Sequence, residues 1–218
     1  MINPNVDIFG EFHIVSFLKH LGITGAEDAY LTIRKLYSGD DRFYHTLSHI
    51  VDGLNQLPKF ADYLDDKDAF TLAWLFHDAV YDSHKKDNEE KSAEMLENLC
   101  ISWGVDRDLI LRAKQLVMAT KHGVNNAGTS DEKWLVDLDM SILGKPGAEY
   151  DLYENNVRRE YGWVSTKDWA VGRSEFLLGL RPPYFQTHYF ADQLGEHAEQ
   201  NIRRSIAMLT NAAILPDG

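Results

Sequence analysis

Apolar residues recur three and four positions apart along almost the whole chain, and no stretch alternates apolar with polar residues as a half-buried strand would. That pattern confines the chain to helices packed on helices. Over 107–122, Leu109, Ile110, Ala113, Leu116, Val117 and Thr120 fall on one face of a 3.6-residue repeat. The same spacing predicts helices near 11–20, 26–38, 44–64, 68–80, 88–103, 107–122, 131–143, 148–161, 166–180 and 186–210. Turn chemistry separates them: Ser38-Gly39-Asp40-Asp41, Gly104, a loop over 122–128, Gly144-Lys145-Pro146-Gly147 and Pro182-Pro183. No repeat, low-complexity tract or Ser/Gly linker divides the 218 residues. The expected architecture is one all-α domain over 1–218.

Hydrophobic residues at 44% and charged residues at 26% suit a packed core. The formal net charge of −12 repels nucleic acid and anionic membrane, and neither is an expected partner. A small anionic substrate is still compatible with it, because a metal ion reverses the potential inside one pocket. No stretch approaches the roughly 20 apolar residues of a membrane span. The first residues, MINPNVDIFGEFHIV, lack the basic start of a secretion signal, so a cytoplasmic protein is expected. Cys100, the one cysteine, sits in the apolar stretch LENLCISWG and reads as a buried structural thiol. Nothing in the sequence sets an oligomeric state.

Three segments concentrate residues able to do chemistry. In Arg42-Phe43-Tyr44-His45-Thr46-Leu47-Ser48-His49, the two histidines are four apart and would share a helical face. Such a pair can ligate a metal together, or one can ligate while the other moves protons. In the second segment the apolar run AFTLAWLF stops at His77-Asp78. Polar groups ending a buried run are costly unless paired or metal-bound, and one imidazole with one carboxylate suits a divalent ion. In the third, LVDLDMSILG, Asp137 and Asp139 are embedded among apolar residues. Two residues apart on a helix, they point to different faces, so one can reach an interior site while the other caps, pairs or supports it.

Taken in order, a His, a His-Asp pair and a distant Asp resemble the metal-binding signature of the HD superfamily, whose members are helical and mostly hydrolyse phosphoesters. YHTLSHIVDGL is similar to a segment of the cyclic-nucleotide phosphodiesterases of that superfamily, and Asp139-Met140-Ser141 resembles their Asp-Leu-Ser. A closer resemblance, over nearly the whole chain, is to a family of small bacterial proteins described as metal-dependent HD phosphohydrolases. It rests on YHTLSHI, WLFHDAVYD, DNEEKSAE, MATKH, LVDLDMSILG, VRREYGWV and GRSEFLLGL followed by RPPYFQT.

The resemblance implies an HD-type helical bundle holding one divalent ion (Mn, Mg, Fe, Ni, Co or Zn) with His49, His77, Asp78 and Asp139, Asp137 being the alternative fourth ligand. It makes His45 the proton donor to the leaving group and gives Asp78 a share in water activation. The implied reaction is hydrolysis of a small phosphorylated, nucleotide-like molecule by water activated at the metal. Arg42, Arg158 and Arg173 are candidate phosphate contacts, with Arg181 nearby, because guanidinium forks suit phosphate. His122 can face substrate or cap a helix, and Glu89 can support the HD pair or favour the start of its own helix. His13, His20, His188 and His197 suggest no role.

Two departures stand out. Tyr81 occupies a place where many HD nucleotidases carry a Glu, and only His84 and His122 lie between the HD pair and the final Asp, which favours one metal over two. Alternative readings are a hydratase or hydrolase of a non-phosphate substrate, and a metal-stabilised binding or regulatory module without turnover.

Overall fold

A computed structural model describes residues 4–121 and 128–214. Among them the chain is all-α: ten α-helices joined by loops and three short 3₁₀ turns, with no strand. No described helix is long and apolar enough to cross a membrane. Residue contacts group the chain into two compact units, Met1–Val136 and Asp137–Gly218.

The first unit contains α1 (Pro4–His20), α2 (Ala26–Leu36), α3 (Leu47–Gln56), α4 (Lys67–Phe76), α5 (Asn88–Ser102) and α6 (Arg107–Ala119). Helix α4 is its centre. Every residue from Ala69 to Phe76 is buried, as expected for a helix apolar on all sides. It packs against α3, α5 and α6, while α1 covers α2 and α3. The face of α6 read from the sequence is inside: Leu109, Ile110, Ala113, Leu116, Val117 and Thr120 are all buried.

Helix ends follow local chemistry. Asp66 caps α4 by accepting from the Ala69 N–H at 2.9 Å, and Asp106 caps α6 by accepting from Asp108 and Leu109 N–H, each at 3.0 Å. Gly104 ends α5 with φ of 74°, a left-handed residue that lets the Val105 N–H reach back to the Cys100 carbonyl at 3.0 Å. The start of α4 is further tied down by Asp131, whose carboxylate accepts from the backbone N–H groups of Asp65 (2.9 Å) and Asp66 (2.8 Å).

Two helices are shorter than their periodicity suggests. The stretch 44–64 becomes α3 alone, followed by 3₁₀ turns at Leu57–Lys59 and Ala61–Tyr63. Pro58 has no N–H to continue the α ladder, and at the other end the His45 carbonyl is taken by Arg42 (2.8 Å). The stretch 68–80 stops at Phe76. There Arg42 binds the carbonyls of Asp78 and Ala79, and Ser92 binds both the N–H and the carbonyl of Val80.

Helix α7 (Ser130–Met140) crosses the division between the units. The second unit continues with a 3₁₀ turn (Ser141–Gly144), α8 (Gly147–Glu160), α9 (Thr166–Gly179) and α10 (His188–Ile214). Helix α10 packs on α9 and on the 3₁₀ turn. The Asn201 side chain on α10 donates to the carbonyls of Leu143 and Lys145, both at 2.9 Å, which fixes that turn just after α7.

Candidate metal centre

His77 is placed by its own helix. It follows the last residue of α4, is 2% exposed, and its Nδ1 lies 2.9 Å from the Trp74 carbonyl one turn earlier. A carbonyl can only accept, so Nδ1 carries a proton, and the neutral ring then presents its lone pair at Nε2. The ring also stacks on Trp74, with centroids 4.4 Å apart and planes 21° apart. Trp74 in turn donates its indole N–H to the Ile50 carbonyl of α3 at 2.8 Å. That contact brings α3, and with it His49, against the end of α4.

Gly53 permits the approach. A Cβ there would sit 2.1 Å from a ring carbon of Trp74, closer than any real side chain allows. The indole therefore lies directly on the α3 backbone. His49, also buried, turns its Nε2 to within 3.2 Å of His77 Nε2.

Asp78 adds a carboxylate to the two imidazoles. Its Oδ2 lies 3.1 Å from His77 Nε2 and 3.9 Å from His49 Nε2. With Asp139 from the last turn of α7, the four residues each offer a ligand atom, and these atoms lie within 4.8 Å of one another. Both histidines are buried and both carboxylates are half-buried. Lone pairs of two imidazoles and two carboxylates turned toward one region repel unless positive charge lies among them. One proton serves one pair of atoms, whereas a divalent cation serves four donors at once. For metal–nitrogen bonds of about 2.1 Å, two ligand atoms are about 3.0 Å apart in octahedral and about 3.4 Å apart in tetrahedral coordination. The His49–His77 separation of 3.2 Å lies between these values. The donor set fits a divalent metal ion.

The two aspartates of α7 part company. Asp137, 1% exposed, accepts from the Gln186 N–H (2.8 Å), the Thr187 N–H (2.7 Å) and the Thr187 hydroxyl (2.7 Å), anchoring the segment that leads into α10. Burial pushes its carboxyl above the ordinary aspartate value, against the opposing pull of those donors. It is Asp139 that joins the histidines. The two residues diverge as expected for positions two apart on a helix, and Gln186 and Thr187 take Asp137.

His45 lies outside α3, so it approaches His49 from the loop before the helix rather than from a common helical face. Its ring centroid is 6.5 Å from that of His49, and it stacks on Tyr81 at 3.9 Å and 22°. Tyr44 packs against both histidine rings, each at 5.0 Å.

The arginines singled out for phosphate are engaged with the protein itself. Arg42 donates to the carbonyls of His45 (2.8 Å), Asp78 (2.9 Å) and Ala79 (3.1 Å). Arg158 donates to the carbonyls of Tyr161 (2.6 Å) and Val164 (2.9 Å) and lies over Trp169. Arg173 is buried against Glu154 and the Tyr153 hydroxyl; burial opposes its charge, and these two partners more than restore it. Each guanidinium is bound to backbone carbonyls or to an internal pair. Glu89 stands in the first turn of α5 and is not one of the four clustered residues. His122 lies outside the described residues.

Several supporting residues escape a motif-based reading. Trp74 precedes His77 by three positions, a spacing that places it one turn back on the same helix. Asn88 and Ser92, four apart, hold the loop after the HD pair: Asn88 binds both the N–H and the carbonyl of Asp82, as Ser92 does for Val80. Their signal is the DNEEKSAE segment, in which a polar pair recurs at helical spacing.

Comparison with protein-family models, with curated proteins and with solved structures finds no match to this chain.

Proposed function

We propose that this chain is a metal-dependent phosphohydrolase of the HD type, acting on a small phosphorylated molecule. The observation that carries the reading is the gathering of His49, His77, Asp78 and Asp139 within 4.8 Å, in the order that the sequence resemblance implies. Two nitrogen and two oxygen donors favour Mn, Fe, Co, Ni or Zn over Mg, which prefers all-oxygen surroundings. An ion held there supplies Lewis acidity toward a phosphoryl oxygen and acidifies water.

The protein's own residues divide the remaining work. His49 and His77 hold position through buried rings, His77 with its tautomer fixed by the Trp74 carbonyl. Asp78, at 20% side-chain exposure, reaches the solvent side of the cluster and can accept a proton from attacking water. His45 stands beside the ligands as the group that returns a proton to the leaving oxygen.

A second reading, hydrolysis or hydration of a substrate without phosphate, is favoured by one observation: Arg42, Arg158 and Arg173 all spend donors on internal acceptors. A screen of phosphomonoesters and phosphodiesters with added Mn, Fe, Co, Ni, Zn or Mg separates the two. Metal-dependent phosphate release from any of them supports the first reading. Its absence throughout, with metal bound, removes it.

A further inference from the structure

Around the metal ligands the loop before α3 meets the turn after α4, and two residues join them. Arg42, 9% exposed, is nearly dehydrated, which a guanidinium tolerates only when its donors are satisfied. Its two terminal nitrogens reach three carbonyls: His45 on one side of the junction, Asp78 and Ala79 on the other. The fork is planar and spans both segments at once, which a lysine ammonium cannot do. The same guanidinium lies 5.3 Å from the Tyr37 ring centroid and 5.7 Å from that of Tyr81. Tyr81 then stacks on the His45 imidazole at 3.9 Å.

We infer that Arg42 and Tyr81 form one positioning device for His45: the guanidinium sets the spacing between the His45 loop and the His77-Asp78 turn, and the Tyr81 ring sets the plane of the imidazole. The inference rests on the proposed role of His45 in turnover. A stack holds a ring by its faces and occupies neither ring nitrogen, so it orients a proton donor without consuming its hydrogen bonds. A carboxylate at position 81 would have no ring to stack on the imidazole. Tyr81 orients the donor, and water activation falls to Asp78.

The test uses the full chain with excess zinc and the variants Tyr81→Phe, Tyr81→Leu and Arg42→Lys. The first readout is turnover of an alkyl phosphate, which needs a proton on its leaving group. A misplacement of about 1 Å costs roughly 10²-fold, so Tyr81→Leu should lower kcat by about 10- to 100-fold with KM within about twofold. Tyr81→Phe should stay within about twofold of wild type, because it keeps the ring. Arg42→Lys should fall with Tyr81→Leu.

The second readout is independent of turnover. The Tyr81 ring current should hold the His45 imidazole C–H resonances upfield in the proton NMR spectrum, His45→Gln identifying them. Tyr81→Leu should release them downfield, and Tyr81→Phe should not. Unmoved resonances in Tyr81→Leu, or Tyr81→Phe as impaired as Tyr81→Leu, overturn the device. Released resonances in a protein that hydrolyses no phosphate ester uphold the stack and count against the phosphohydrolase reading instead.

Discussion

His49 and His77 face each other across 3.2 Å with their Nε2 atoms, although 28 residues separate them in sequence. The approach depends on Trp74, which lies against both rings, and on the missing side chain of Gly53. Local packing of two apolar helices and the geometry of the candidate metal centre are therefore one arrangement.

Gly53→Ala should disturb both together. Its Cβ cannot coexist with the Trp74 ring in place, so α3 and α4 must spread or the indole must turn. Overpacking of this kind typically costs about 1–3 kcal/mol, which a urea melt measures. Metal affinity should fall in the same variant, read by titration with a chelator. A variant with wild-type stability and affinity would mean that the indole does not set the His49–His77 spacing.

His45→Ala should leave metal content unchanged and slow substrates with poor leaving groups by about 10²–10⁴-fold. A nitrophenyl ester, whose leaving group needs little protonation, should lose much less. The rates for an alkyl and a nitrophenyl phosphate, wild type against variant, give the answer. Equal losses together with lost metal would make His45 a ligand.

The α4 cap gives a pH signature. Burial pushes the Asp66 carboxyl up, but the Ala69 N–H and the Arg112 guanidinium, 2.5 Å away, outweigh it, and the net shift is downward from 3.8. A depressed carboxyl contributes stability that is complete above its unfolded value and disappears as pH falls through its folded one. Asp66→Asn keeps an oxygen for the Ala69 N–H but loses the charge. The variant should be less stable than wild type at neutral pH, and the gap in denaturation midpoints should close below about pH 3.8. A gap that persists unchanged into acid would contradict a contribution from the ionised form.

Cys100 should be inert in the folded protein. It is fully buried, and burial pushes its thiol up to about 12. Thiolate, the reactive form, is scarce at neutral pH. Labelling with a thiol reagent should follow unfolding in denaturant, and rapid labelling of the native state would refute the burial.

The all-α fold was legible because its helices carry long 3.6-residue apolar patterns, α6 above all, while α4 is a helix-length run apolar on every side. Helix ends were less so. His45 and His77-Asp78 belong to helices by pattern but to loops by hydrogen bonding, because Arg42 and Ser92 claim the backbone groups that would have extended the ladders. The site's ligand types were visible as polar residues stranded in apolar runs. The separation of Asp139 from Asp137 needed three dimensions, since it depends on Gln186 and Thr187, about 50 residues downstream, arriving to take one of them. The internal partners of the arginines were not legible either. A guanidinium that suits phosphate suits backbone carbonyls equally well, and sequence alone does not distinguish the two acceptors.

Elemental analysis of the purified protein and of His77→Ala and Asp78→Ala, after dialysis with excess divalent metal and its removal, addresses the metal centre most directly. Each side chain is one of four clustered donors, and loss of a ligand should empty the site. The expected result is one ion per chain in the wild type and close to none in either variant, with far-UV circular dichroism unchanged. A wild type that binds no metal, or variants that keep the full stoichiometry, would contradict the centre formed by His49, His77, Asp78 and Asp139.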